Sequence, residues 1–140
     1  MSGPQEQVDE QVTVFEAVGG QAFFDGLCRR FYERVDLDPV LRPLYPDDPE
    51  AYEASERWLG LFLGQYWGGP GTYSETRGHP RLRMRHAGFL VGRRERDAWY
   101  DAMASAVADT CAASGAPEDV ADQLLGYFAM AADHLQNAPQ

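Results

Sequence analysis

Residues 61–89 read LFLGQYWGGPGTYSETRGHPRLRMRHAGF, and a change of character inside that stretch decides the fold. Its start continues a series, Tyr52, Ser55, Leu59, Phe62 and Tyr66, spaced for one face of a helix. The run GGPGT at 68–72 is a strong helix stop. From there to residue 93 Gly, Pro and Arg leave room for no more than a brief turn over 81–86. A stretch of that length with little helix is unusual in a compact domain unless it is functional. Something other than apolar burial must order it.

Outward from this segment the apolar spacing is helical nearly everywhere, and nothing alternates like a strand. A short helix over Thr13–Val18 ends at Gly19–Gly20. Phe24, Leu27, Phe31 and Val35 mark one face of a second helix, which DLDPV (36–40) breaks, with Pro39 able to open a single turn. The segment 42–49 holds Pro43, Pro46 and Pro49 and cannot be a helix interior. Two long helices follow the irregular segment. One spans Glu95–Ala113, with Trp99, Met103, Ala106 and Val107 facing in. The other spans Glu118–Gln136, started by Pro117, with Val120, Leu124, Phe128, Ala131 and Leu135 facing in. The reading is all-α, a single domain over 12–137, preceded by a flexible acidic extension at 1–11.

Composition narrows the partners. With 22 acidic against 12 basic residues and a net charge of −10, nucleic acid and anionic membrane surfaces are poor partners, because both demand neutralisation of phosphate. Cys28 and Cys111 lie too far apart for a paired-ligand motif and read as small buried residues, with a single disulfide as the alternative. The N-terminal residues lack the basic start and apolar run of a secretory signal, and no apolar run is long enough to span a bilayer; the cytoplasm is the expected compartment.

The charge anomaly is local. All twelve basic residues are arginine, and seven of them (Arg77, Arg81, Arg83, Arg85, Arg93, Arg94, Arg96) fall between 77 and 96, around His79 and His86. Three histidines with no nearby carboxylate triplet do not make a zinc or non-haem iron site. One imidazole suffices where a macrocycle supplies the remaining ligands, and arginine forks suit the carboxylates of haem propionates. On spacing alone two readings stand: a solvated basic loop pairing with the chain's own carboxylates, or the edge of a haem. Tyr32, Tyr45 and Trp99 each join an apolar body to one polar group that needs a partner when buried.

The stretches FEAVGG (15–20), RRFYERV (29–35), DPVLRPLYP (38–46), LFLGQYWGGPGTYSETRGHPRLRMRHAGF (61–89) and ERDAWY (95–100) together resemble the truncated haemoglobins of the second group, in order, over about 12–137. The resemblance implies a two-over-two helical sandwich around one haem b (iron protoporphyrin IX), with a very short proximal helix inside a long loop. It implies His86 as the iron ligand and Tyr32, Tyr45 and Trp99 as hydrogen-bonding distal residues with catalytic potential. It further implies Ser55, Leu59, Phe62, Met84 and Phe89, with Trp99, against the haem, and Tyr73 and Arg85 at the propionate edge. Trp58 stands where the family often has a basic or polar propionate anchor, and the loop after Tyr45 is about two residues longer than usual.

The ligands expected from that resemblance are dioxygen, carbon monoxide, nitric oxide or peroxide, with a reductase partner left unidentified and a homodimer open as an alternative to a monomer. Donors around the ligand favour dioxygen, which takes on negative charge, over carbon monoxide. Two donors at about 1 kcal/mol each would slow ligand loss about thirtyfold, which points to redox or detoxification chemistry rather than bulk transport. The alternatives are a haem enzyme (a nitric oxide dioxygenase or a peroxidase-like enzyme) and a haem-free helical interaction module.

Overall fold

The computed structural model describes residues 12–71 and 91–136. Within them the chain forms five α-helices: α1 (Val14–Ala17), α2 (Gln21–Leu37), α3 (Pro49–Tyr66), α4 (Arg93–Ser114) and α5 (Glu118–Leu135), with a 3-10 turn at Arg42–Leu44 between α2 and α3. There is no strand among the described residues. None of these helices is long and apolar enough to cross a membrane.

Apart from α2, which follows Gly20, each helix starts where a side chain caps free N–H groups or a proline stands at the boundary. Thr13 Oγ1 accepts from Glu16 N at 3.1 Å, while Glu16 Oε1 accepts from Thr13 N at 3.3 Å, a reciprocal cap that lets a single turn stand. Asp48 accepts from Ala51 N at 2.9 Å ahead of Pro49, so α3 begins three residues before the apolar series that announces it. The start of α4 likewise moves to Arg93, because Glu95 reaches back to accept from Gly92 N at 3.0 Å. Pro117 immediately precedes α5.

Two layers result. Helix α2 packs on both α3 and α4, and α4 packs on α5. The buried faces are those the spacing selects: Phe24, Leu27, Phe31 and Val35 from α2, Leu59 and Phe62 from α3, Trp99, Met103, Ala106 and Val107 from α4, and Val120, Leu124, Phe128, Ala131 and Leu135 from α5. Tyr66, the last member of the α3 series, departs from it and is 51% exposed. Gln21 Nε2 donates to Gly60 O at 2.7 Å across the α2–α3 contact, and a Cβ on Gly64 would collide with Gln21 Oε1. Cys28 and Cys111 are free thiols, which removes the disulfide alternative.

Candidate functional site

The proline-rich corner between α2 and α3 delivers Tyr45. Arg42 secures it by donating to Tyr45 O at 3.4 Å and Pro46 O at 3.0 Å, and its guanidinium lies 4.2 Å over the Tyr52 ring. Tyr45 is thereby turned inward to 7% exposure, against Tyr32 of α2 at 5%, with ring centroids 5.4 Å apart and nearly perpendicular. Tyr32 also meets Phe31 edge-on at 5.5 Å, and Phe31 meets Trp99 of α4 at 5.7 Å. Such edge-to-face pairs are the favoured aromatic geometry.

Polar groups inside this cluster satisfy one another. Tyr45 accepts a hydrogen bond from the Trp99 indole, and Tyr32 is hydrogen-bonded to Ser55. Ser55 Oγ donates its one proton to Tyr52 O at 2.8 Å, so the bond between Tyr32 and Ser55 is donated by Tyr32. Burial pushes the phenols of Tyr32 and Tyr45 well above the ordinary tyrosine range, and at Tyr45 the bond from Trp99 offsets only part of that rise. Both are therefore neutral hydroxyl groups at physiological pH, able to donate.

Sequence reasoning brings together four residues that the structure joins, Tyr32, Tyr45, Ser55 and Trp99. Leu59 and Phe62 lie one and two turns beyond Ser55 on α3, both buried in the same core. Tyr73, Met84, Arg85, His86 and Phe89 lie outside the described residues, as does His79. Tyr52 is the member that the sequence reading left as an ordinary helix position. Its hydroxyl donates to Tyr32 O at 3.1 Å, and its ring packs edge-on against Tyr32 at 5.3 Å and Tyr45 at 6.4 Å. Its place one turn before Ser55 on the same helix was the available signal. His134 stays structural, with Nδ1 2.9 Å from Met130 O on an exposed face.

The donor set suits the distal face of a macrocycle better than a bare ion. Among the described residues no group of three or more His, Cys, Asp and Glu side chains is placed to hold a metal, whereas two neutral phenols and an indole stand beside buried Leu59 and Phe62. Of the clustered arginines, Arg94 pairs with Glu95 at 3.2 Å, and Arg96 with Asp97 at 3.0 Å and Asp133 at 2.6 Å. Those two are spent on the chain's own carboxylates.

Two helical layers enclosing a buried phenol–indole cluster define a shortened globin. Residues 13–137 match the bacterial-like globin family model. A haemoglobin from the actinobacterium Thermobifida fusca is 50% identical, with 91% of this chain and 99% of that one covered and a TM-score of 0.82. A truncated oxygen-avid haemoglobin from Bacillus subtilis superimposes with a TM-score of 0.75 at 34% identity, over 89% of this chain and 99% of that one. The group 2 truncated haemoglobin YjbI of Bacillus subtilis is 35% identical over 123 residues, 88% of this chain and 87% of that protein. The chain belongs to the bacterial-like globins and, within them, to the group II truncated haemoglobins, with the two-on-two fold. Haem-based binding of diatomic gas ligands comes with that family.

Proposed function

We propose that this globin holds haem b through His86 and binds dioxygen tightly, in the service of redox or detoxification chemistry rather than bulk transport. The observation that carries the reading is the buried bond from the Trp99 indole to the Tyr45 phenol, beside a second neutral phenol at Tyr32. A bound haem would supply an iron able to bind a diatomic ligand. His86 would hold the iron as a neutral imidazole, and Arg85 and Tyr73 would pair with the propionates.

On the distal side the indole N–H occupies one lone pair of Tyr45 and fixes the phenol, so the hydroxyl proton points away from Trp99. Donors held this way before the ligand arrives need no reorganisation when negative charge develops on it, and favour dioxygen over carbon monoxide. Tyr32 is a reserve donor, since its proton must first leave Ser55. The oxygen-avid behaviour of the Bacillus subtilis relative supports the same reading. The same groups can pass a proton or an electron to a nitrogen oxide or a peroxide, with a reductase returning electrons.

Stopped-flow dioxygen release tests the donor argument. Trp99→Phe keeps an aromatic body, removes the N–H and releases dioxygen about fivefold faster, the effect of about 1 kcal/mol. A release rate equal to the parent's would refute the pairing. Absorption spectra test the ligand: His86→Ala loses the five-coordinate histidine-ligated ferrous spectrum, and its retention would place the ligand elsewhere.

A further inference from the structure

Aromatic rings continue from the distal cluster to solvent. Trp99 meets Phe128 of α5 at 6.0 Å, Phe128 meets Tyr127 at 5.2 Å, and Tyr127 meets Tyr66 at the end of α3 at 4.5 Å. Trp99 and Phe128 are buried, whereas Tyr66 is 51% exposed. Apart from Phe128, each stop has an oxidisable ring, and no saturated side chain interrupts the contacts.

We propose that Tyr66 and Tyr127 form a surface site for one-electron oxidation, wired through Phe128 to Trp99, whose external substrates are phenols too large to reach the distal cluster. The proposal rests on the haem reading above and deepens its peroxide branch by naming a substrate class and a place.

Proton release decides where the electron deficit comes to rest. Oxidising a phenol or an indole makes its O–H or N–H strongly acidic, so the deficit settles where that proton can leave. The Trp67 indole, 5.3 Å from Tyr66 and 5.5 Å from Tyr127, has a buried Nε1 with no hydrogen-bond partner among the described residues. Nothing there takes its proton. Burial and the neighbouring Tyr66 raise the Tyr127 phenol, so it gives up its proton less readily than Tyr66 and is the second ring to be oxidised. Tyr66 hands its proton to water. Phe128 has no such proton and serves only as a bridge.

The stoichiometry closes with hydrogen peroxide as oxidant. Peroxide takes up two electrons and two protons and leaves as two waters. Two phenols each give one electron and one proton. The resulting phenoxyl radicals couple through a new carbon–carbon bond, and each ring-carbon hydrogen at that bond moves to its oxygen, giving a biphenol. With no external phenol present, the two donors are Tyr66 and Tyr127, and the product is an intramolecular dityrosine.

The test uses the full chain loaded with haem, its Soret band recorded first, then mixed with one equivalent of hydrogen peroxide. Freeze-quenched samples are read by electron paramagnetic resonance, and tryptic digests by mass spectrometry. A tyrosyl radical and a cross-linked peptide pair carrying Tyr66 and Tyr127 are expected. Tyr66→Phe and Tyr127→Phe each abolish the cross-link, and Tyr66→Phe loses most oxidation of a bulky added phenol while dioxygen release is unchanged. Phe128→Leu slows formation of the cross-link. A Soret-bearing sample that forms no cross-link, or a Tyr66→Phe variant that oxidises the bulky phenol at the parent rate, overturns the surface site alone. A Phe128→Leu variant that cross-links at the parent rate overturns the wiring. A chain with no Soret band after haem is supplied overturns the haem reading and this proposal together.

Discussion

Burial leaves Tyr32 and Tyr45 with hydroxyl groups that resist ionisation, and that property reaches beyond ligand binding. Both phenols titrate above the ordinary value when folded, while the unfolded chain releases its phenolic protons near pH 10. Above that pH the folded chain holds protons that the unfolded chain has lost, so the contribution of these two groups to stability is constant below about pH 10 and falls as pH rises past it. Calorimetric melting against pH is expected to show a plateau followed by an alkaline decline, with a shallower decline in Tyr45→Phe. A decline as steep in the variant would mean that Tyr45 ionises normally. Of the cluster, Tyr32, Tyr45 and Trp99 were legible because short motifs around them match a family. Tyr52 was not, since helix phase alone makes it an ordinary amphipathic position. Its hydroxyl finds Tyr32 O only after α2 and α3 cross.

Between elements, the short α1 is held by a contact that depends on a missing side chain. Phe15 N donates to Trp67 O at 3.0 Å, and Gly69 N to Gly64 O at 2.7 Å, which lays the turn after α3 against Thr13 and Phe15. Gly68 has φ +112°, and a Cβ there would run into Thr13. Gly68→Ala therefore adds backbone strain to a steric clash and is expected to cost roughly 2–3 kcal/mol, a fall of several degrees in melting temperature. Gly115→Ala is the control: its φ is +70°, nothing lies within 4 Å, and about 1 kcal/mol is expected. Equal shifts for the two would remove the clash from the account. The glycine pairs were legible as helix stops at 19–20 and 68–69. That one of them also clasps α1 to the end of α3 was not, because the partner lies more than fifty residues away in sequence.

For the whole molecule, charge and helix order were open to a direct reading, and so was the class of fold. Helical spacing acts over one or two turns and caps act over three residues, so periodicity placed the buried faces of α2, α4 and α5 on its own. The helix starts at Pro49 and Arg93 escaped it by two or three residues, because Asp48 and Glu95 rather than the apolar pattern set them. The sequence by itself determined an acidic, all-helical chain whose helices break at glycine and proline. Only the tertiary structure decided which side chains meet: the Trp99 indole with Tyr45, Tyr32 with Ser55, and the aromatic path from Trp99 to Tyr66. Those pairings depend on the crossings of α2, α3, α4 and α5, which close packing of all four buried faces selects together and no local rule specifies.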